Sequence, residues 1–204
     1  MTEKAQTETD NLTYYDTIAL TFDDGPNGWC TDQTLLALMK AGERATFFLV
    51  GIWVDKYPEL VKEIAARGHE IGNHTNHHRG MRNLSDHEIL REIEDCEDAI
   101  YSLAEYRPTL IRPPEGAMNA QVRRVIGSLD YRIILWDVDT HDWAHTPPAE
   151  ITRHVLSEID AGDIILMHDF IGHNSPTPDA LRMLIPALLE RGYKFVTVGE
   201  LLDG

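Results

Sequence analysis

Two short stretches carry residue types that can do chemistry. The first, TFDDGPNG at residues 21–28, sets the adjacent carboxylates Asp23 and Asp24 at the end of an apolar run and then breaks the chain with Gly25 and Pro26. Neighbouring anions repel, so a cation is the natural partner. The second, HEIGNHTNHHRG at residues 69–80, holds four histidines. It is not the H-E-x-x-H pattern of zinc proteases, because His69 and His74 are five apart with Gly72 between them. His74 and His78 are four apart, which on a helical turn puts both rings on one side, whereas an extended chain would separate them by ~13 Å. Two nitrogens that bind one ion at ~2 Å must lie far closer than that. The segment after Asn73 is therefore expected to turn, and by spacing alone His77 could stand in for His78.

Two imidazoles and a carboxylate make a common catalytic zinc set that leaves room for water or substrate. With Asp24, His74 and His78 as ligands, Asp23 stays beside the ion as a general-base candidate. Taken singly, each stretch also has an ordinary reading. D-D-G-P is good turn chemistry, and a loop of solvated histidines is common on protein surfaces.

These residues must be positioned by regular elements, and the pattern for those is clear. Short apolar runs at 17–22, 45–51, 70–73, 109–112, 132–137, 163–168 and 194–197 read as strands. Amphipathic segments at 31–41, 58–67, 86–104, 120–129, 148–159 and 178–191 read as helices. The helix at 86–104 opens with a capping box of Ser85 and Glu88 and repeats Ile89, Ile93, Cys96, Ile100 and Leu103 at helical spacing. Repeated strand-then-helix units imply right-handed crossovers and a parallel sheet, and seven of them suffice to curl into a barrel. Asp23 and Asp24 follow the first strand, His74 the third, Arg112 the fourth, and Asp139 and Asp142 the fifth, while His168 ends the sixth. Barrels and doubly wound sheets place active sites at these carboxyl ends, so separate motifs should converge in space.

The whole chain bounds the rest. With 204 residues and 43% hydrophobic content, one domain over 14–204 is expected after a polar, aperiodic tail over 1–13. Acidic residues number 34 against 18 basic, a formal charge of −16, which repels nucleic acid and anionic lipid. No apolar run approaches a membrane span, and the first residues lack the basic start and apolar segment of a secretory signal. Two cysteines are too few for a disulfide framework, so Cys30 and Cys96 are read as free thiols.

Five stretches in order, TFDDGP, HTNHH, RPPEG, DTHDW and LMH, together with the closing GYKFVTVGELL, resemble the motifs of polysaccharide deacetylases of the NodB-homology type, carbohydrate esterase family 4. The resemblance covers residues 17–202. It implies an α/β fold, a distorted (β/α)7-type barrel of parallel strands with outer helices. It further implies one divalent metal ion, usually Zn2+, with Co2+ or another transition metal as a substitute, and a monomer that hydrolyses N-acetyl or O-acetyl groups on an acetylated glycan. Asp23 then resembles the general base, and Asp24, His74 and His78 the metal ligands, with His77 outside the pattern. Arg112 resembles the partner of the base, His168 the catalytic acid and Asp142 the partner of that acid. Trp143 and Leu166 resemble walls of the acetyl pocket. Glu115 departs from the family, which commonly has Tyr there, and brings a carboxylate to the acetyl site. Three activities stay open at this point: N-deacetylation of peptidoglycan or chitin-like oligomers, O-deacetylation of xylan, and glycan binding without turnover.

Overall fold

A computed structural model describes residues 16–170, 172 and 174–203, so the polar tail expected over 1–13 lies outside the described residues. The strands are β1 (Thr17–Asp23), β2 (Thr46–Leu49), β3 (Glu70–Asn73), β4 (Leu110–Ile111), β5 (Arg132–Ile133), β6 (Val138–Asp139), β7 (Ile164–His168) and β8 (Lys194–Phe195). The helices are α1 (Cys30–Ala41), α2 (Gly51–Lys56), α3 (Pro58–Ala66), α4 (Asp86–Ala104), α5 (Ala120–Ile126), α6 (Pro148–Glu158), α7 (Thr177–Glu190) and α8 (Val198–Asp203).

All strand pairs are parallel, in the order β5-β4-β3-β2-β1-β7-β6, with β8 joined to the start of β1. That order forces curvature. The edge strands β5 and β6 are consecutive in the chain, separated only by residues 134–137, and such a link spans at most ~18 Å. A flat seven-strand path would hold its edges ~29 Å apart. The sheet therefore bends into the distorted (β/α)7-type barrel expected from the sequence, with helices outside.

The two sheet faces follow the period of two. On β1, Ile18, Leu20 and Phe22 point outward and join Phe47, Leu49, Ile71, Ile165 and Met167 in the main core under the helices. The alternate residues Ala19, Thr21 and Asp23 point inward. Ala19, Phe48, Leu110, Ile134 and Val198 form a separate small cluster that fills the barrel interior. A Cβ on Gly72 would fall 2.5 Å from the Phe48 ring, so only glycine lets β3 close on that cluster.

The single strand expected over 132–137 is instead β5 and β6 with a break between them. The main-chain oxygens of Ile134 and Leu135 accept hydrogen bonds from the buried Arg112 guanidinium, at 3.4 and 2.9 Å, and so turn into the barrel. Helix α2 has no counterpart in the sequence reading, because six residues are too few to show a period. Its first free N–H groups, on Gly51 and Ile52, donate to the carbonyls of Thr75 and Asn76 at 3.1 and 3.0 Å. The capping box of α4 is present as expected, with Ser85 Oγ accepting from Glu88 N and Glu88 Oε2 accepting from Ser85 N. Cys30 and Cys96 are both buried free thiols. No helix among the described residues is long and apolar enough to cross a membrane.

Candidate active site

Period-two geometry delivers the chemistry to one place. Because Ala19, Thr21 and Asp23 share the inner face of β1, Asp23 emerges at the carboxyl mouth of the barrel. Asp23 and His168 are register partners on the neighbouring strands β1 and β7. His74 and Arg112 follow β3 and β4 directly. A cavity of about 130 Å3 at this mouth is lined by Asp23, Asp24, His74, His78, Glu115, Trp136, Leu166 and His168.

Asp24, His74 and His78 each offer one donor atom, and these atoms all lie within 4.8 Å of one another. Asp24 Oδ1 sits 3.2 Å from His74 Nε2 and 3.0 Å from His78 Nε2. It is buried, yet no partner lies at a hydrogen-bonding angle. A buried carboxylate oxygen left without a proton donor, facing two ring nitrogens, is the arrangement a cation completes. The donor set therefore fits a divalent ion such as zinc. Burial works to raise the Asp24 pKa, and in the protonated state the two imidazoles would outweigh it and hold the group below the usual carboxylate range. His78 is raised in turn by Asp24, against burial, with Asp23 and Glu115 adding their charge.

The His74 tautomer is fixed from behind. Its Nδ1 lies 2.7 Å from the main-chain oxygen of Arg112. A carbonyl can only accept, so Nδ1 carries the proton and Nε2 presents its lone pair to the cluster. The loop that brings His78 round does turn as expected, through left-handed Thr75 (φ 65°) and with His78 itself at φ 54°.

On one side of the cluster, Arg112 Nη1 donates to Asp23 Oδ1 and to Thr21 Oγ1, both at 2.7 Å. The guanidinium is fully buried and stacks 4.2 Å over the Phe48 ring. Burial pulls the Arg112 pKa down while Asp23 opposes that. Asp23 Oδ2 is left facing His74 Nε2 at 3.7 Å.

On the other side, His168 Nδ1 donates to Asp142 Oδ1 at 2.7 Å, and Asp142 Oδ2 accepts from His168 N at 2.7 Å and from Thr177 Oγ1 at 2.6 Å. Burial favours the neutral ring, but the Asp142 bond and charge, supported by Asp23 and Asp24, win and push the His168 pKa up to about 9. Asp169, next in the chain, is buried and pushed up to about 7, mainly by burial. Its Oδ2 accepts from Thr31 Oγ1 at 2.6 Å, tying the start of α1 to the end of β7. A Cβ on Gly25 would fall 2.1 Å from Asp169 Oδ1, which explains the glycine of D-D-G-P as a close approach.

Asp23, Asp24, His74, His78, Arg112, Asp142 and His168 are thus brought together, with Leu166 and Glu115 on the cavity wall. Trp143 is not on that wall. It is half exposed, and its indole N–H donates to Asp139 at 3.3 Å, while the aromatic lining the cavity is Trp136. His77 turns away from the cluster to Glu92 of α4. Thr21, Thr177, Trp136 and Glu92 were not singled out from the sequence. Thr21 alone had a local signal, as the inward-facing residue two before Asp23.

At the barrel mouth a two-histidine, one-carboxylate cluster able to hold a divalent ion thus sits between a carboxylate–arginine pair and a histidine–carboxylate pair. The polysaccharide deacetylase family profile matches residues 11–134, and the chain belongs to that family. It is 40% identical over 187 residues to a peptidoglycan-N-acetylglucosamine deacetylase of Bacillus cereus, covering 91% of this chain and 87% of that one. It is also 40% identical over 184 residues to the peptidoglycan-N-acetylmuramic acid deacetylase PdaC of Bacillus subtilis, covering 90% of this chain but only 38% of PdaC. A crystal structure of a CE4 family pseudoenzyme from Bacillus anthracis matches with a TM-score of 0.85 at 31% identity, over 92% of this chain and 66% of that one.

Proposed function

We propose that the chain is a metal-dependent hydrolase that removes N-acetyl groups from N-acetylated glycans, peptidoglycan or chitin-like oligomers. The observation that carries this reading is the convergence of Asp24 Oδ1, His74 Nε2 and His78 Nε2 between Asp23–Arg112 and His168–Asp142. The names of the relatives support the substrate class.

Asp24, His74 and His78 would hold the ion, zinc first. When bound, it supplies Lewis acidity that polarises an acetyl carbonyl and lowers the pKa of water. The remaining work falls to the chain's own groups. Arg112 occupies Asp23 Oδ1 and fixes the direction of that carboxylate, leaving Oδ2 to take a proton from the attacking water. The water oxygen bonds to the carbonyl carbon, and the Glu115 N–H is our candidate donor to the developing oxyanion. An amine leaves poorly until protonated. His168, cationic because of Asp142, gives its Nε2 proton to the sugar nitrogen as the C–N bond breaks, yielding acetate and the free amine. Leu166 and Trp136 line the space where the acetyl methyl would sit, while Trp143 would contact the glycan outside the cavity.

Acetate release from chitooligosaccharide, peptidoglycan fragments and acetylated xylan tests this reading. N-acetyl substrates are expected to be turned over and Asp23→Asn to abolish the release. Turnover of xylan alone would make the chain an O-acetyl esterase, and glycan binding without acetate from any substrate would overturn the enzymatic reading.

A further inference from the structure

The loop after β3 carries two of the three converging donors in a conformation its residues resist. Thr75 and His78 lie at φ 65° and 54°, and left-handed backbone is unfavourable for a residue that carries a Cβ. Something outside the loop must therefore hold it. Three of its restraints are neutral: Thr75 N donates to Asn73 Oδ1 at 2.8 Å, and the carbonyls of Thr75 and Asn76 accept from the start of α2.

A further restraint is charged. Glu92, 4% exposed on α4, accepts from His77 N through Oε2 at 2.8 Å and from His77 Nδ1 through Oε1 at 3.1 Å, with Arg79 Nη1 at 3.7 Å. A carboxylate this buried is expensive to keep, and pairing it seldom yields a net gain in stability over an apolar residue. Its two oxygens instead fix both the main chain and the ring of His77, the residue immediately before His78. His77, which the three-donor cluster does not use, thereby has a purpose.

We infer that Glu92 is a positioning residue for the metal centre. Through His77 it sets the direction of the His78 imidazole and so the affinity for the ion, an inference that rests on the Asp24–His74–His78 reading. In this it acts as outer-sphere partners of ligands do elsewhere, although it reaches the ligand through the preceding peptide rather than through its ring.

The test is the zinc dissociation constant of the full chain, measured by competition with a chromogenic chelator, for wild type, Glu92→Ala, Glu92→Gln and Val155→Ala. Val155 is a buried residue of α6, a helix that packs on α7 and β6, and its truncation reports plain destabilisation. Glu92→Ala is expected to weaken zinc roughly 10–100-fold. Glu92→Gln, which keeps an amide oxygen for His77 N–H, should lose less, and Val155→Ala should lower the unfolding midpoint with zinc affinity unchanged. A folded Glu92→Ala with wild-type affinity overturns the inference, as does a Val155→Ala that loses zinc equally. Should Glu92→Ala not fold, Glu92→Gln decides, and wild-type affinity there overturns it. Wild type that binds no zinc removes the cluster reading itself and this inference with it, whereas tight wild-type binding with unaffected Glu92 variants removes this inference alone.

Discussion

The main-chain oxygen of Arg112 accepts the Nδ1 proton of His74 while the guanidinium of the same residue holds Asp23 Oδ1, both at 2.7 Å. One residue thus serves the proposed metal ligand with its backbone and the proposed base with its side chain. The two services can be separated. Arg112→Met leaves the carbonyl in place, so zinc binding should persist while turnover falls roughly 100-fold or more, since Asp23 loses the partner that aims it. The uncompensated buried carboxylate should also cost ~3–5 kcal/mol of stability in denaturant unfolding. Activity close to wild type would show that Asp23 does not depend on the guanidinium.

His168, the proposed acid, has its pKa raised by Asp142 against burial. A group that must carry its proton loses activity as pH rises through its pKa, and Asp142 raises that pKa. Asp142→Asn should therefore shift the alkaline limb of kcat/KM to lower pH, by a unit or more. An unmoved alkaline limb would mean that another group sets it.

His69 controls stability rather than chemistry. It is buried, its Nδ1 accepts from Ala45 N at 3.3 Å, and its ring edge meets Phe47. Burial, with Arg67 and Arg44 adding their charge, pushes its pKa down to about 4. The folded state therefore binds this proton less readily than the unfolded chain does, so the contribution is full above pH ~6.5 and is lost as pH falls toward 4. Wild type should lose ~1–3 kcal/mol more than His69→Asn between pH 7 and pH 4 in urea unfolding. Parallel curves for the two proteins would contradict this.

Glu115 places a carboxylate on the cavity wall near His78. With Asp23 and Asp24 close by, it would favour cationic groups and oppose a developing oxyanion. Glu115→Tyr should change the relative rates across a panel of acetylated sugars, with neutral substrates gaining most. Rates that all scale together would show that the side chain does not select substrate.

Much of this was legible in the sequence because it depends on short-range period and order. The alternation along β1 brings Asp23 to the inner face, and the strand-then-helix rhythm places His74, Arg112 and His168 at one end of the barrel. What stayed hidden depends on tertiary partners. The strand over 132–137 breaks because the Ile134 and Leu135 carbonyls turn to Arg112, 22 and 23 residues earlier in the chain, an event that no local pattern records. Helix α2 is held by carbonyls from the His74–His78 loop, and Glu92 reads as one more polar position on an amphipathic helix until the fold brings His77 against it. Trp143 and Trp136 are both plausible pocket walls by residue type, and only backbone direction separates them.

Asp24, His74 and His78 are proposed to hold one divalent ion. Zinc titration of the apo chain, followed by isothermal calorimetry, tests it directly on wild type, Asp24→Ala, His74→Ala and His78→Ala. One zinc per chain in wild type, with affinity lost in all three variants and retained in Asp23→Asn, is the predicted result. Wild type that takes up no zinc, or variants that bind it as tightly as wild type, would contradict the account.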